Sequence, residues 1–163
     1  MKLSSIFSII LMSALFIPQL SYSAVQDDEV VKVVYHADYS NPRRLSAMLT
    51  SINNMVMTYK NDLVDYDVRI VFIAHGIRFL TKDKLVKTPF AEDKALAERK
   101  DNLMQRLTSL QNVHDVKLEL CDITRKEVKL DVKKLMSNVT LVRSGVVRIA
   151  ELQHQGFAYL KIE

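Results

Sequence analysis

Three side chains capable of bond-making chemistry fall where the sequence predicts strands to end: His36 after VVKVVY, His75 after VRIVFIA and Cys121 after VKLEL. In a parallel sheet those ends form the rim where ligands bind. Cys121 is the only cysteine in the chain, so no internal disulfide exists and the thiol is either packing or chemistry. Thr124-Arg125-Lys126-Glu127 matches a capping box, which predicts a helix starting just after the thiol. The N–H groups and dipole of a helix start favour an anion, and Arg125 and Lys126 add positive charge, while Asp122 opposes it. The positive groups would depress the thiol pKa and raise the thiolate fraction. The pattern also fits a free cysteine acting as a small hydrophobe, and residue types alone leave both readings open.

His36 and His75 are the candidate proton carriers beside such a thiol, although a histidine at a strand end commonly meets a loop carbonyl or water. Cysteine and histidine could together suit zinc, but no C-x-x-C or H-x-x-x-H ligand pair occurs, and no metal is expected. Arg143-Ser144-Gly145 opens the last predicted helix. Its N–H groups either offer a second anion cradle, for a species such as a thiosulfonate, or form an ordinary helix cap; Arg125, Ser144 and Gly145 are the candidate anion-binding residues. His114 and His154 are expected at the surface. The segment from His36 to Asn41 contains no glycine, which argues against a nucleotide-binding phosphate loop, and no cofactor is expected.

The elements that must position these groups alternate strand with helix. Strands are predicted at Val30–His36, Val68–Ala74, Val116–Cys121, Val139–Val142 and Phe157–Ile162. The clearest helix begins at Asn41-Pro42, a cap followed by a first-turn proline. It carries Leu45, Met48, Leu49, Ile52, Met55, Val56 and Tyr59 in one apolar stripe. A second helix is predicted over about 93–111, short helical pieces from Thr124 and over 130–137, and a last helix from Gly145 to about Gln155, closed by Gly156. In the third strand Lys117, Glu119 and Cys121 share one face, and the polar companions predict a thiol that is not deeply buried. The connection 77–92, with Lys82, Lys84 and Lys87, is long enough for a lid or a contact surface and fits a solvated loop equally well. This alternation predicts an α/β fold, a three-layer α/β/α domain of flavodoxin size on a mostly parallel five-stranded sheet.

Residues 1–23 read as a removable export signal. Lys2 gives the positive start, an apolar run follows from Ile6 to Leu20, and Ser21-Tyr22-Ser23 supplies the cleavage region. The apolar run is shorter than the ~20 residues a bilayer-spanning helix needs. No membrane association is expected after cleavage, and the expected location is the bacterial periplasm. Removing 23 of the 163 residues leaves one domain, 24–163. Its charge is mild and interspersed, unlike the dense basic stripe of a nucleic-acid protein. Only three glycines and three prolines occur, so the chain is mostly regular structure.

From about Lys32 to Ile162 the chain resembles the DsrE/DsrF-like family, in particular its small secreted members. The resemblance is carried by KVVYHAD, SINNM, VRIVFIAHG, the third strand ending in ELC, VRSGVVRIAELQHQG and FAYLKI. It implies a three-layer α/β fold assembled into trimers or hexamers, and a cysteine after the third strand that carries sulfur as a persulfide, the position of Cys121. Ile77-Arg78-Phe79 replaces the usual small turn after His75-Gly76, and Gln111-Asn112-Val113-His114 lacks the glycine that often precedes the third strand. Two functions are expected to compete. One is a sulfur carrier taking a sulfane sulfur from a donor to an acceptor thiol protein. The other is a non-catalytic oligomeric binding or assembly module with an unreactive Cys121.

Overall fold

The computed structural model describes residues 30–162. The export signal assigned to 1–23 and the polar leader at 27–29 lie outside them.

Five strands form one sheet: β1 (Val31–Ala37), β2 (Tyr66–Phe72), β3 (Lys117–Cys121), β4 (Val139–Val142) and β5 (Ala158–Leu160). Every pairing is parallel, and the order is β4-β3-β2-β1-β5. The chain therefore steps one way from β1 to β4 and then crosses back over the sheet to β5. Crossovers between parallel strands are right-handed, so the connections of the outward steps share one face and the returning helix takes the other. The inner face accordingly carries the long helices α1 (Pro42–Asn61) and α3 (Lys100–His114), which close a core around Tyr35, Ile70, Phe72, Leu118 and Leu120. The outer face has one helix, α5 (Gly145–His154), on a small cluster of Val34, Val71, Ile149, Leu152 and Phe157. The three-layer α/β/α architecture is present, with a wholly parallel sheet and unequal helical layers.

Local chemistry explains the best-predicted elements. The Asn41 side chain accepts the Arg43 N–H at 2.8 Å, and Pro42 opens α1. The apolar stripe of α1 turns Leu45, Met48, Leu49, Ile52 and Val56 into the core, and the Tyr39 hydroxyl donates to the Met48 sulfur at 3.2 Å. The Ser144 hydroxyl caps α5 by accepting the Val147 N–H, and Gly156, at φ +89°, follows its end.

Other elements differ from expectation. The helix predicted over 93–111 is two, α2 (Lys94–Ala97) and α3, broken at Arg99, whose φ of −122° leaves the helical region. Just after the break the Lys100 ammonium turns inward to Glu92 at 2.6 Å and to the Asp83 carbonyl at 3.3 Å. With Arg78–Asp93 and Lys134–Asp83, both at 2.7 Å, these contacts make the connection 77–92 a fixed strap. The helix predicted from Thr124 is α4 (Asp122–Glu127), and it begins two residues earlier, with Cys121 as its N-cap. The Thr124 hydroxyl accepts the Ala74 N–H at 3.1 Å, so it does not close the predicted capping box. The piece over 130–137 is only a 3-10 turn at Val132–Lys134. β2 ends at Phe72, and a 3-10 turn over Ala74–Phe79 carries His75. His114 is buried rather than exposed, at the end of α3.

Gly76 shows how tightly the rim is packed. A Cβ there would lie 2.1 Å from the Ala37 carbonyl oxygen, a backbone atom that cannot turn aside. Gly76→Ala should therefore cost about 1–3 kcal/mol, the range for overpacking. Gly156→Ala meets nothing within 4 Å and should cost only the backbone strain of its positive φ. Chemical denaturation of the two variants checks the ranking, and equal losses would contradict it.

Candidate functional site

In parallel sheets the ligand crevice opens where loops leaving the carboxyl ends of adjacent strands run to opposite faces. Here those strands are β3 and β4. The chain leaving Cys121 enters α4, and the segment beyond it packs Val128 and Leu130 into the inner core, whereas the chain leaving Val142 enters α5 on the outer face. Cys121 and Val142 are direct cross-strand partners, so two helix starts converge on one sulfur.

Cys121 is 4% exposed. Burial alone pushes its thiol pKa up, but hydrogen bonds from the backbone N–H groups of Thr124, Gly145 and Ile123 and from the Thr124 hydroxyl outweigh that, and the thiol lies below its ordinary value. The Thr124 oxygen accepts the Ala74 N–H, which leaves the hydroxyl proton for the sulfur. Ala74 itself sits at φ +48°. Gly145 is dictated by the same crowding: a Cβ there would lie 2.5 Å from the Ile73 side chain and 3.2 Å from the Cys121 Cβ. On the first turns of α4 and α5, the two helices that start at the thiol, Ile123 and Val146 stand 60% and 68% exposed as an apolar collar.

The structure gathers some predicted site residues and separates others. The Gly145 N–H faces the thiol, while the Ser144 hydroxyl serves as the cap of α5. Arg125 is turned away into Asp122, at 2.6 Å, and the Leu130 carbonyl, at 2.7 Å, and Lys126 joins Asp122 at 2.8 Å. The cations expected to hold an anion thus neutralise the acid that opposed it. His36 pairs with Val71, and Val71 with Glu119, so two strand spacings, roughly 10 Å in all, separate it laterally from Cys121. It meets Tyr159 at 3.0 Å and Asp38 at 3.7 Å instead. Burial holds its pKa below the ordinary value, Asp38 opposing and Lys161 reinforcing the shift. The His75 ring packs edge-on against Phe90 at 5.0 Å. The hydrogen bonds that lower the thiol therefore come from backbone and Thr124, not from an imidazole. No group of three or more potential metal ligands occurs among the described residues.

Sequence reasoning missed Glu119. The third-strand face expected to be open is covered by α5, and Glu119 is 2% exposed. It accepts Arg69 at 3.0 Å and Arg148 at 2.7 and 3.0 Å, and Arg69 also forks onto Asp67 at 3.1 and 2.6 Å. The alternation of β3 gave Glu119 its face, but only the position of α5 brings Arg148 to it.

An all-parallel α/β sheet with an N–H-lined thiol at its topological switch point defines the class. The chain belongs to the DsrE/DsrF-like family, whose model matches residues 28–162. Two solved structures are similar in fold. One is the protein of unknown function MTH1491 from Methanobacterium thermoautotrophicum, 22% identical over 80% of this chain and 98% of that one, with a TM-score of 0.61. The other is the ychN protein from E. coli, 16% identical over 82% of this chain and 100% of that one, with a TM-score of 0.55. No curated protein matches the chain.

Two outcomes follow from this geometry. The folded thiol ionises at lower pH than the unfolded one, whose ordinary value is 9.0. Its stabilising contribution is therefore complete above that value and fades as pH falls through the native pKa. Alkylation of denaturant-free protein should show an inflection below that of free cysteine, and Thr124→Val should move it up. An inflection at or above the free value would contradict the assignment. Separately, Arg148→Ala leaves Glu119 with Arg69 alone and should cost about 2–3 kcal/mol, under the 3–5 of a fully broken buried pair. The double variant Glu119→Leu/Arg148→Met should recover most of that loss in a denaturation titration.

Proposed function

We propose that the protein is an exported sulfur carrier that holds a persulfide on Cys121. The observation that carries this reading is the convergence of three backbone N–H groups and one hydroxyl on a single thiol at the switch point. Carrier chemistry puts negative charge on that sulfur twice. The Cys121 thiolate attacks the sulfane sulfur of a donor, a new S–S bond forms, and the donor remnant leaves with the electron pair of the broken bond. An acceptor thiolate then attacks the outer sulfur, and Cys121 departs as thiolate. A depressed pKa favours both the thiolate fraction and the departure. The donor is a sulfane-sulfur compound, and the acceptor is a thiol protein that seats on the collar of Ile123 and Val146. Further copies of the chain assemble through the flanks of the outer face that α5 leaves uncovered, and the working location is the periplasm.

The 4% exposure of the thiol favours a second reading, an assembly module in which Cys121 is packing. Mass spectrometry of the exported protein separates the two. After polysulfide or thiosulfate treatment the carrier gains the mass of one sulfur on Cys121, the gain is absent in Cys121→Ser, and an acceptor thiol removes it. No gain with any donor, together with native-state protection of Cys121 from iodoacetamide, leaves the assembly module.

A further inference from the structure

Beside the thiol lies a cleft of about 360 Å3 between the first turns of α5 and the outer face of β3 and β4. Its lining carries four cations, Arg69, Lys117, Arg143 and Arg148, against the carboxylates of Glu119 and Glu151. Asp67, at 3.2 Å from Lys117 and 2.6 Å from Arg69, lowers the excess but does not cancel it. The cations are held in different ways. Arg69 spends its donors on Asp67 and Glu119. Arg148 is locked onto buried Glu119 by its Nε and Nη2, and its Nη1 has only Glu151, at 3.8 Å and half exposed. The Arg143 side chain makes no ion pair or hydrogen bond among the described residues and is exposed. The cleft thus presents one immobilised guanidinium edge and two adjustable cations around a polar space, the arrangement that recognises oxygen anions.

Its place matters as much as its charge. Val142 lines the cleft and is the cross-strand partner of Cys121, so one strand spacing, about 4.8 Å, separates the cleft wall from the thiol's strand. The chain between them is Ser144-Gly145; Ser144 lines the cleft, and Gly145 lies so close to the thiol residue that a Cβ on it would stand 3.2 Å from the Cys121 Cβ.

Resting on the sulfur-carrier reading, we infer that this cleft binds the oxyanion end of the sulfur donor, a sulfonate-type group as in thiosulfate, with Arg143, Lys117 and Arg148 as its recognition residues. The Cys121 thiolate attacks the outer sulfur of thiosulfate. The Cys121 S–S bond forms, the donor's S–S bond breaks, and sulfite leaves with the electron pair, leaving a Cys121 persulfide anion and requiring no oxidant or reductant. Glu119 is a positioning residue that fixes Arg148. This differs from the cradle expected from the sequence, because the Gly145 N–H is committed to the sulfur and Arg125 to Asp122.

The test uses two donors, thiosulfate and a neutral dialkyl trisulfide, and sulfate as an unreactive probe. Sulfate should bind the wild-type and Cys121→Ser proteins in calorimetry and compete with thiosulfate loading. Arg143→Gln and Lys117→Gln, both at exposed positions, should each lower thiosulfate loading about tenfold, the equivalent of 1.4 kcal/mol, with trisulfide loading unchanged. Thiosulfate loading that neither variant nor sulfate alters overturns the cleft and leaves the sulfur carrier standing. An equal loss with both donors also overturns it. If neither donor loads Cys121 but sulfate still binds wild type and not Arg143→Gln, the carrier fails and the oxyanion cleft remains.

Discussion

The direction in which the chain crosses its sheet is the constraint from which the rest follows. Three steps outward and one return, all right-handed, put two long helices on one face and a single ten-residue helix on the other. They also make the loops after β3 and β4 diverge. Divergence leaves a gap at the rim, and the first turns of α4 and α5 border it with N–H groups that have no partner inside their own helices. Cys121, the last residue of β3, is the side chain placed to use them.

The same thin outer layer explains the polar chemistry beside the thiol. One helix cannot cover five strands with apolar side chains, so the β3 face beneath α5 is finished by an ionic network. A carboxylate as buried as Glu119 is expensive unless its lone pairs are filled, and two guanidiniums fill them. The network joins β2, β3 and α5, which makes it a brace for the helix whose first turn supplies the Gly145 N–H to the sulfur. Stability and thiol chemistry are therefore coupled through α5.

The rim is also rigid in ways that longer loops seldom are. Gly76 brings the turn after β2 against Ala37, Ala74 adopts a left-handed backbone and donates to Thr124, and the strap over 77–92 is held by Lys100, Arg78 and Lys134. Thr124 connects these features to the site, since its oxygen accepts the N–H of Ala74 in the turn after β2 and its hydroxyl donates to the sulfur at the end of β3. Pre-organised donors of this kind cost no rearrangement when charge develops.

What the sequence determined by itself is whatever depends on local periodicity and local caps. The stripe of α1, the Asn41-Pro42 and Ser144 starts, the Gly156 stop and the positions of the five strands follow from residue spacing that neighbours in the chain already fix. The rim position of Cys121 was legible for the same reason. The depth of the thiol was not, because polar Lys117 and Glu119 on its face read as solvent exposure until α5 brings Arg148 over them. Nor was the source of its hydrogen bonds. Arg125 and Lys126 are near Cys121 in sequence yet close on Asp122, within their own helix, while Gly145 lies 24 residues away and reaches the sulfur because β4 pairs with β3. His36 and His75 shared the rim in sequence, but sheet order set β2 between His36 and the thiol, and the strap set Phe90 against His75. Side chains a turn apart choose partners by local geometry, whereas those converging on a site are chosen by strand order and crossover hand, which only the folded chain decides.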